Sequence, residues 1–229
     1  MSSAPESVGT LDVALRHTAQ LLQTDATLAA EQAVEILKAV PGHPVAALYL
    51  GAARRLQGEI PTALAILEPL ARSQPNSAVT HLELGLALGR AGRGNDAVAA
   101  LRRAVALKPD LADAWRTLAD HVAAVGDAAG ADAAYRRQVR ASTRDPELLT
   151  AAAALNDGRL PEAETLLRER LRRAPTDVAA LRLFAQLAAR IGRNGDAQAL
   201  LERCLELAPG FTAARANLAL VLHRNNQPA

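Results

Sequence analysis

The sequence predicts an all-α fold, built as a stack of antiparallel helix pairs. Three observations predict it. Alanine and leucine dominate a chain that is 50% apolar but only 2% aromatic, a mixture suited to closely spaced helices with small contact residues. Strand formers nowhere gather in alternating runs. Finally, glycine, proline and alanine markers share one period. Glycines stand at Gly58, Gly92, Gly126, Gly158 and Gly192, separated by 34, 34, 32 and 34 residues. Prolines at Pro41, Pro75, Pro109, Pro175 and Pro209 keep the same register, as do alanines at Ala63, Ala97, Ala131, Ala163 and Ala197. All three markers carry the same two-residue deletion, placed after Ala131 by the alanines and before Gly158 by the glycines.

Each unit reads as a helix, a tight turn and an antiparallel helix. The glycine ends the first helix, where positive φ is easiest for a residue without a Cβ. Pro61 and Pro161 open second helices, where a missing N–H costs nothing. Gly51, Gly85, Ala119, Ala63 and Ala97 let the two helices approach closely. Leu67, Leu101, Tyr135, Leu167 and Leu201 are expected to fill the space between neighbouring units. No unit buries its apolar face alone, so stability comes from stacking. Pro69 falls inside a second helix and predicts a kink or an early end there.

The period and its markers resemble the tetratricopeptide repeat family, whose pattern is W-x2-L-G-x2-Y, then A-x3-F, then P. Residues 78–111 supply Leu84, Gly85, Leu88, Ala97, Leu101 and Pro109, with His81 in place of the tryptophan. Residues 112–143 supply Trp115, Leu118, Ala119, Val122, Ala131 and Tyr135 and are assigned the two-residue deletion. Residues 44–77 and 178–211 fit the same pattern. Residues 144–177 fit it with a first helix that looks short. Residues 10–43 form a degenerate capping repeat, 1–9 a disordered N-terminus and 212–229 the first helix of a truncated repeat. The resemblance implies a right-handed superhelical solenoid of about six repeats plus one half. It also implies a scaffold that binds a protein or peptide in its concave groove, with no cofactor.

In the family the groove is lined by the second, fifth, ninth and twelfth positions of each first helix. Carried onto this chain, these include Val45, Leu48, Ala52 and Arg55, then Val79, Leu82 and Leu86. Further on they include Asp113, Arg116 and Asp120, then Arg182 and Gln186. The implied groove is apolar near the N-terminus and charged in the middle. Val79, Leu82 and Leu86 read equally well as packing positions or as contacts for an apolar peptide. Arg55, Arg116 and Arg182 are expected to meet acidic groups of the ligand. The lysine–asparagine pair of the family's carboxylate clamp is missing from every unit, and only Asn217 sits where an asparagine ladder would. The alanine- and arginine-rich style, and the stretch from Leu181 to Ala229, are also similar to bacterial proteins that fuse such repeats to a sulfotransferase domain. That similarity implies a recruiting region whose catalytic residues lie beyond this chain.

Composition argues against other classes. Lysine and arginine total 26 against 24 acids, a net charge of +2. Arginines gather at Arg136, Arg137, Arg140 and Arg144, then at Arg168, Arg170, Arg172 and Arg173, with acids interleaved as on solvated helix faces. Nucleic-acid binding wants a larger basic excess and stacking aromatics, so none is expected. No histidine pairs with another, or with a cysteine, at metal-ligand spacing. The lone Cys204 occupies a small-residue position rather than a nucleophile's. The glycine-rich Gly89–Gly94 segment lacks the lysine and hydroxyl of a phosphate loop. Catalysis is therefore not expected of this chain. Met1–Thr10 have neither a basic start nor an apolar run, and no stretch approaches a membrane span, so a cytoplasmic protein without membrane contact is expected. At the other end, Asn226 aligns with the turn glycines and Gln227-Pro228-Ala229 with the opening of a second helix. Leu218, Val221 and Leu222 are then expected to lack cover, which predicts a fragment of a longer protein and self-association through the open C-terminal end.

Overall fold

The structure is a computed structural model that describes residues 5–225, with side chains from residue 11. The chain divides into two compact units, residues 1–107 and 108–229. The first holds three helix pairs: α1 (Pro5–Thr24) with α2 (Ala26–Ala39), α3 (Pro44–Leu56) with α4 (Ile60–Ser73), and α5 (Ala78–Arg90) with α6 (Gly94–Leu107). The second holds α7 (Ala112–Ala124) with α8 (Ala128–Ala141), then a 3-10 turn over Ser142–Arg144. It continues with α9 (Pro146–Asn156) and α10 (Leu160–Arg173), α11 (Val178–Arg190) and α12 (Asn194–Leu207), and closes on α13 (Thr212–Asn225). No strand occurs among the described residues, so the fold is all-α.

Helix starts follow from local chemistry. The carboxylates of Asp25, Asp145 and Asp177 each accept two backbone N–H groups of the helix that follows, and Ser77 accepts from Thr80 N. These satisfy donors that a helix start leaves unpaired. The turn glycines close the first helices: Gly58 and Gly92 have φ of 84° and 75°, a left-handed backbone that strains any residue with a Cβ.

Close approach within each pair depends on size. A Cβ added to Gly51 would lie 2.7 Å from Leu67 Cγ, and one added to Gly85 would lie 2.6 Å from Leu101 Cγ. Leu67, Leu101 and Leu167 are 0% exposed, Leu201 1% and Tyr135 2%; expected between neighbouring units, Leu67 and Leu101 seat first against the glycine of their own pair, and Leu67 also meets Ala87 of the next pair. A second recurring contact ties three of the first helices, α5, α7 and α13, to the loop before them. Trp115 Nε1 donates to the Pro109 carbonyl at 2.9 Å, and Arg215 donates to the Pro209 carbonyl at 2.6 Å. His81 Nε2 lies 3.1 Å from the Pro75 carbonyl; a carbonyl only accepts, so Nε2 carries the proton. His81 thus replaces the tryptophan as a donor as well as a packing group.

Four sequence expectations need correction. The two missing residues come out of α9, which has 11 residues against 13 in α3, α5, α7 and α11. Residues 112–143 are therefore not the short repeat; the markers at Ala131 and Gly158 only bracket the deletion, whereas Asp145 caps α9 in full register. Residues 5–9, read as disordered, belong to α1, whose first residue is a proline with no N–H to leave unpaired; residues 1–4 lie outside the described range. Of the two outcomes expected at Pro69, a kink or an early end, the early end does not occur, since α4 runs on to Ser73. Val221, expected to lack cover, is 4% exposed and shares a cavity wall with Ala185 of α11 and Leu201 of α12. Leu218 is half-buried and Leu222 exposed, while the readings on Asn226 to Ala229 lie outside the described residues.

Gly85→Ala tests the close approach. An overpacking penalty of ~1–3 kcal/mol against the fully buried Leu101 exceeds the ~1 kcal/mol that alanine gains over glycine in a helix. The urea midpoint should therefore fall. Gly94→Ala, where an added Cβ meets nothing within 4 Å, should leave it unchanged or raise it.

Candidate functional site

Within the first unit α1 touches α3 and α3 touches α5, so the first helices form one layer. The residues expected to line a groove lie on that layer. Val45 and Val79 are 37% and 44% exposed. Leu82 and Leu86 are half-buried, and Leu48 is half-buried against Ala63, Leu67 and Ala87. Ala52 is buried. Arg55, expected to meet a ligand, is instead 9% exposed, and its Nε donates to Glu83 Oε2 at 2.8 Å. It links α3 to α5, and its backbone carbonyl accepts from Arg90 at 3.1 Å. The accessible part of this face is therefore aliphatic.

The second unit is different. Asp113, Arg116 and Asp120 come together, but they serve one another and the core. Arg116 lies 3.3 Å from Asp120 and 3.7 Å from Asp113. Asp120 also accepts from the Tyr135 hydroxyl at 2.5 Å and from Thr176 Oγ1 at 3.0 Å. Burial, then the Asp120 carboxylate, pushes the Tyr135 hydroxyl well above its ordinary pKa. Tyrosine stands here where other pairs carry leucine, and its length lets it reach the first helix's charge.

Beside this lies a hub that sequence reasoning missed. Asp177 is 0% exposed. Its carboxylate accepts from Gln138 Nε2 and Arg170 Nε, each at 2.8 Å, and from the N–H groups of Ala179 and Ala180 at 3.1 and 3.0 Å. Arg170 also lies 3.1 Å from Asp145, 3.3 Å from Glu147 and 3.4 Å from Asp113. One guanidinium on α10 thus joins the capping carboxylates of α9 and α11. Burial opposes its charge, but Asp177 and the other carboxylates outweigh burial and raise its pKa above the ordinary value. The capping role of Asp177 was legible, since an aspartate just before an apolar helix is a start signal. The burial of Arg170 was not, because it stands among three other arginines of the same helix.

Arg182 and Gln186 sit on α11. Arg182 is half-buried, and burial lowers its pKa. Gln186 lines a cavity of about 260 Å3 with Asn217, Leu220 and Arg224, where the buried Asn217 Nδ2 has no hydrogen-bond partner. Cys204 is fully buried, with Sγ 3.7 Å from the Val178 carbonyl; burial pushes its thiol up to about 12, the opposite of what a nucleophile needs. Among the described residues no three acidic, histidine or cysteine side chains are arranged to hold a metal ion, and no helix is long and apolar enough to cross a membrane.

Comparison with known proteins agrees with the architecture. Residues 82–146 match the family model described as tetratricopeptide repeat. No curated protein matches the sequence. Among solved structures, a thermophilic tetratricopeptide repeat protein of Thermus thermophilus is similar over 93% of this chain and 99% of its own, at 18% identity and a TM-score of 0.57. MamA of Desulfovibrio magneticus is similar over 59% of this chain and 77% of its own, at 20% identity and a TM-score of 0.51. At these identities the likeness concerns the fold.

Two outcomes are expected. Asp177→Ala leaves a buried guanidinium and amide without their acceptor and should cost about 3–5 kcal/mol in chemical denaturation. Cys204, whose folded pKa is raised, contributes stability in full below the ordinary thiol value of 9.0 and loses it as pH rises from there towards about 12, because only the unfolded thiol ionises in that window. The native thiol should accordingly resist a thiol-reactive dye at pH 8 and react at stoichiometry once urea unfolds the chain.

Proposed function

On the premise that the chain carries tetratricopeptide repeats, we propose that it is a non-catalytic scaffold that binds an apolar peptide or helix on the first-helix layer of its first unit. The observation that carries this reading is the exposure of Val45 and Val79 beside half-buried Leu48, Leu82 and Leu86. They recur on α3 and α5 at spacings of three and four, the rhythm at which a partner helix presents its own anchors. Large apolar side chains left open in a row mark a recognition surface more often than a defect.

The charged positions have a different part in this reading. Arg55 and Arg116 already have acidic partners within the chain; Arg55 joins α3 to α5, the helices that display the aliphatic side chains, and Arg116 is held by carboxylates of its own helix. Gln186, which lines the Asn217 cavity, and the half-buried Arg182 one turn before it on α11 are the positions left for a polar group of a ligand.

Display of random peptides against the chain should enrich sequences with aliphatic or aromatic anchors three and four apart. Leu82→Asp with Leu86→Asp should abolish capture while the helical circular-dichroism spectrum persists. Val45→Asp with Val79→Asp, at more exposed positions, should weaken it at least tenfold without touching the melting curve. Enriched peptides that bind these variants unchanged would remove the groove from the first unit.

A further inference from the structure

We propose that the cleft lined by Trp115, Arg137, Arg140 and Arg144 binds a phosphate monoester carried on a segment of a partner protein. The two arginine-dense stretches of the sequence look alike, but among the described residues the structure gives ion pairs to three of the later four, all but Arg172, and to one of the earlier four. In the later one, Arg168 pairs with Glu164 at 2.6 Å, Arg170 sits in the buried hub and Arg173 pairs with Glu147 at 2.8 Å. In the earlier one, Arg136 pairs with Asp132 at 3.1 Å, but Arg137, Arg140 and Arg144 make no ion pair among the described residues. All three are exposed and line the same cleft of about 370 Å3. The only acid in its wall is Asp110.

The local fold produces this arrangement. Residues 137, 140 and 144 are three and four apart, so α8 puts them on one side, and the 3-10 turn after Ala141 carries Arg144 along it. Trp115 is fixed by its bond to the Pro109 carbonyl and lies under Arg137, whose guanidinium carbon is 5.0 Å from the ring centroid. That contact holds one guanidinium over the cleft wall.

The chemistry selects the ligand. A phosphate ester carries a charge of about −1.5 to −2 at neutral pH and three acceptor oxygens, which suits several guanidinium forks better than one carboxylate does. Nucleic acid suits the cleft less well. Single strands are held by successive stacking rings, whereas here one ring stands alone with Arg137 over it. Pro109, Trp115 and Ala141 give the cleft an apolar wall, so it has room for the chain that carries the phosphate.

Trp115 is the only tryptophan, so its fluorescence reports on this cleft directly. At constant ionic strength, a phosphoserine-centred peptide library should change its emission saturably, at least tenfold more tightly than the unphosphorylated library. Inorganic phosphate should compete more weakly. Arg140→Gln with Arg144→Gln should weaken the response tenfold or more with the circular-dichroism spectrum retained. Arg144→Gln alone, in the exposed turn, should weaken it in the same direction should the double variant fail to fold. Arg172→Gln should leave the response intact. A response reproduced by sodium chloride, or one that survives the substitutions, overturns the site. Inorganic phosphate binding as tightly as the phosphopeptides, or an oligonucleotide binding more tightly, overturns the protein-borne ligand. Leu82→Asp with Leu86→Asp should not alter this signal, which separates it from the aliphatic face of the first unit.

Discussion

The fold rests on one steric constraint: a large side chain of each second helix must seat over a residue with little or no side chain on the first. Leu67 over Gly51 and Leu101 over Gly85 show it most plainly, since an added Cβ would overlap the leucine. The constraint fixes the separation of the paired helices, and with it the direction in which their outer residues point. At the fourth pair Tyr135 occupies the plug, and its hydroxyl meets Asp120. A single enlarged plug therefore draws charge from the first-helix layer into the interior, and Thr176, Arg116 and the Asp177 hub surround it with further partners.

This explains how the units differ in what they offer a partner. In the first unit the first-helix layer stays aliphatic and accessible, and its one buried arginine, Arg55, is neutralised by Glu83. In the second unit Asp113, Arg116 and Asp120 are committed to internal structure. A cluster of open charge, Arg137, Arg140 and Arg144, lies along the far part of α8 and the turn after it. A buried ionic network is not itself a large source of stability; its effect here is to hold the caps of α9 and α11 in one arrangement around Arg170.

Much of this was legible from residue spacing. Glycine, proline and alanine periods pointed to the turns between paired helices from Pro44 onward, because turn glycines and close-contact residues obey local sterics. What spacing could not show was direction. Arg116 and Arg55 look like groove residues by position, yet each turns to an acid of the chain. Arg170 and Arg140 look alike in composition, yet one is buried among carboxylates and the other lies open. The deletion was correctly detected but assigned to the wrong repeat, since its flanking markers lie on either side of α9. Pairwise side-chain choices of this kind depend on which helices meet, and one unit of the period does not encode them.

The span of the cross-links has a consequence for how the two units assemble. Among the described residues of the first unit the side-chain hydrogen bonds reach no further than from Arg90 back to Arg55, 35 residues. In the second, Thr176 reaches Asp120 across 56 residues, Arg170 reaches Asp113 across 57, and Gly210 N–H donates to Asp132 across 78. Short loops close at little entropic cost, and neighbouring repeats can then form and dissolve one at a time. Long ones must be closed before their bonds return anything, which slows folding and couples distant helices into one event. The helices of the second unit are thus tied together over longer stretches of chain than those of the first.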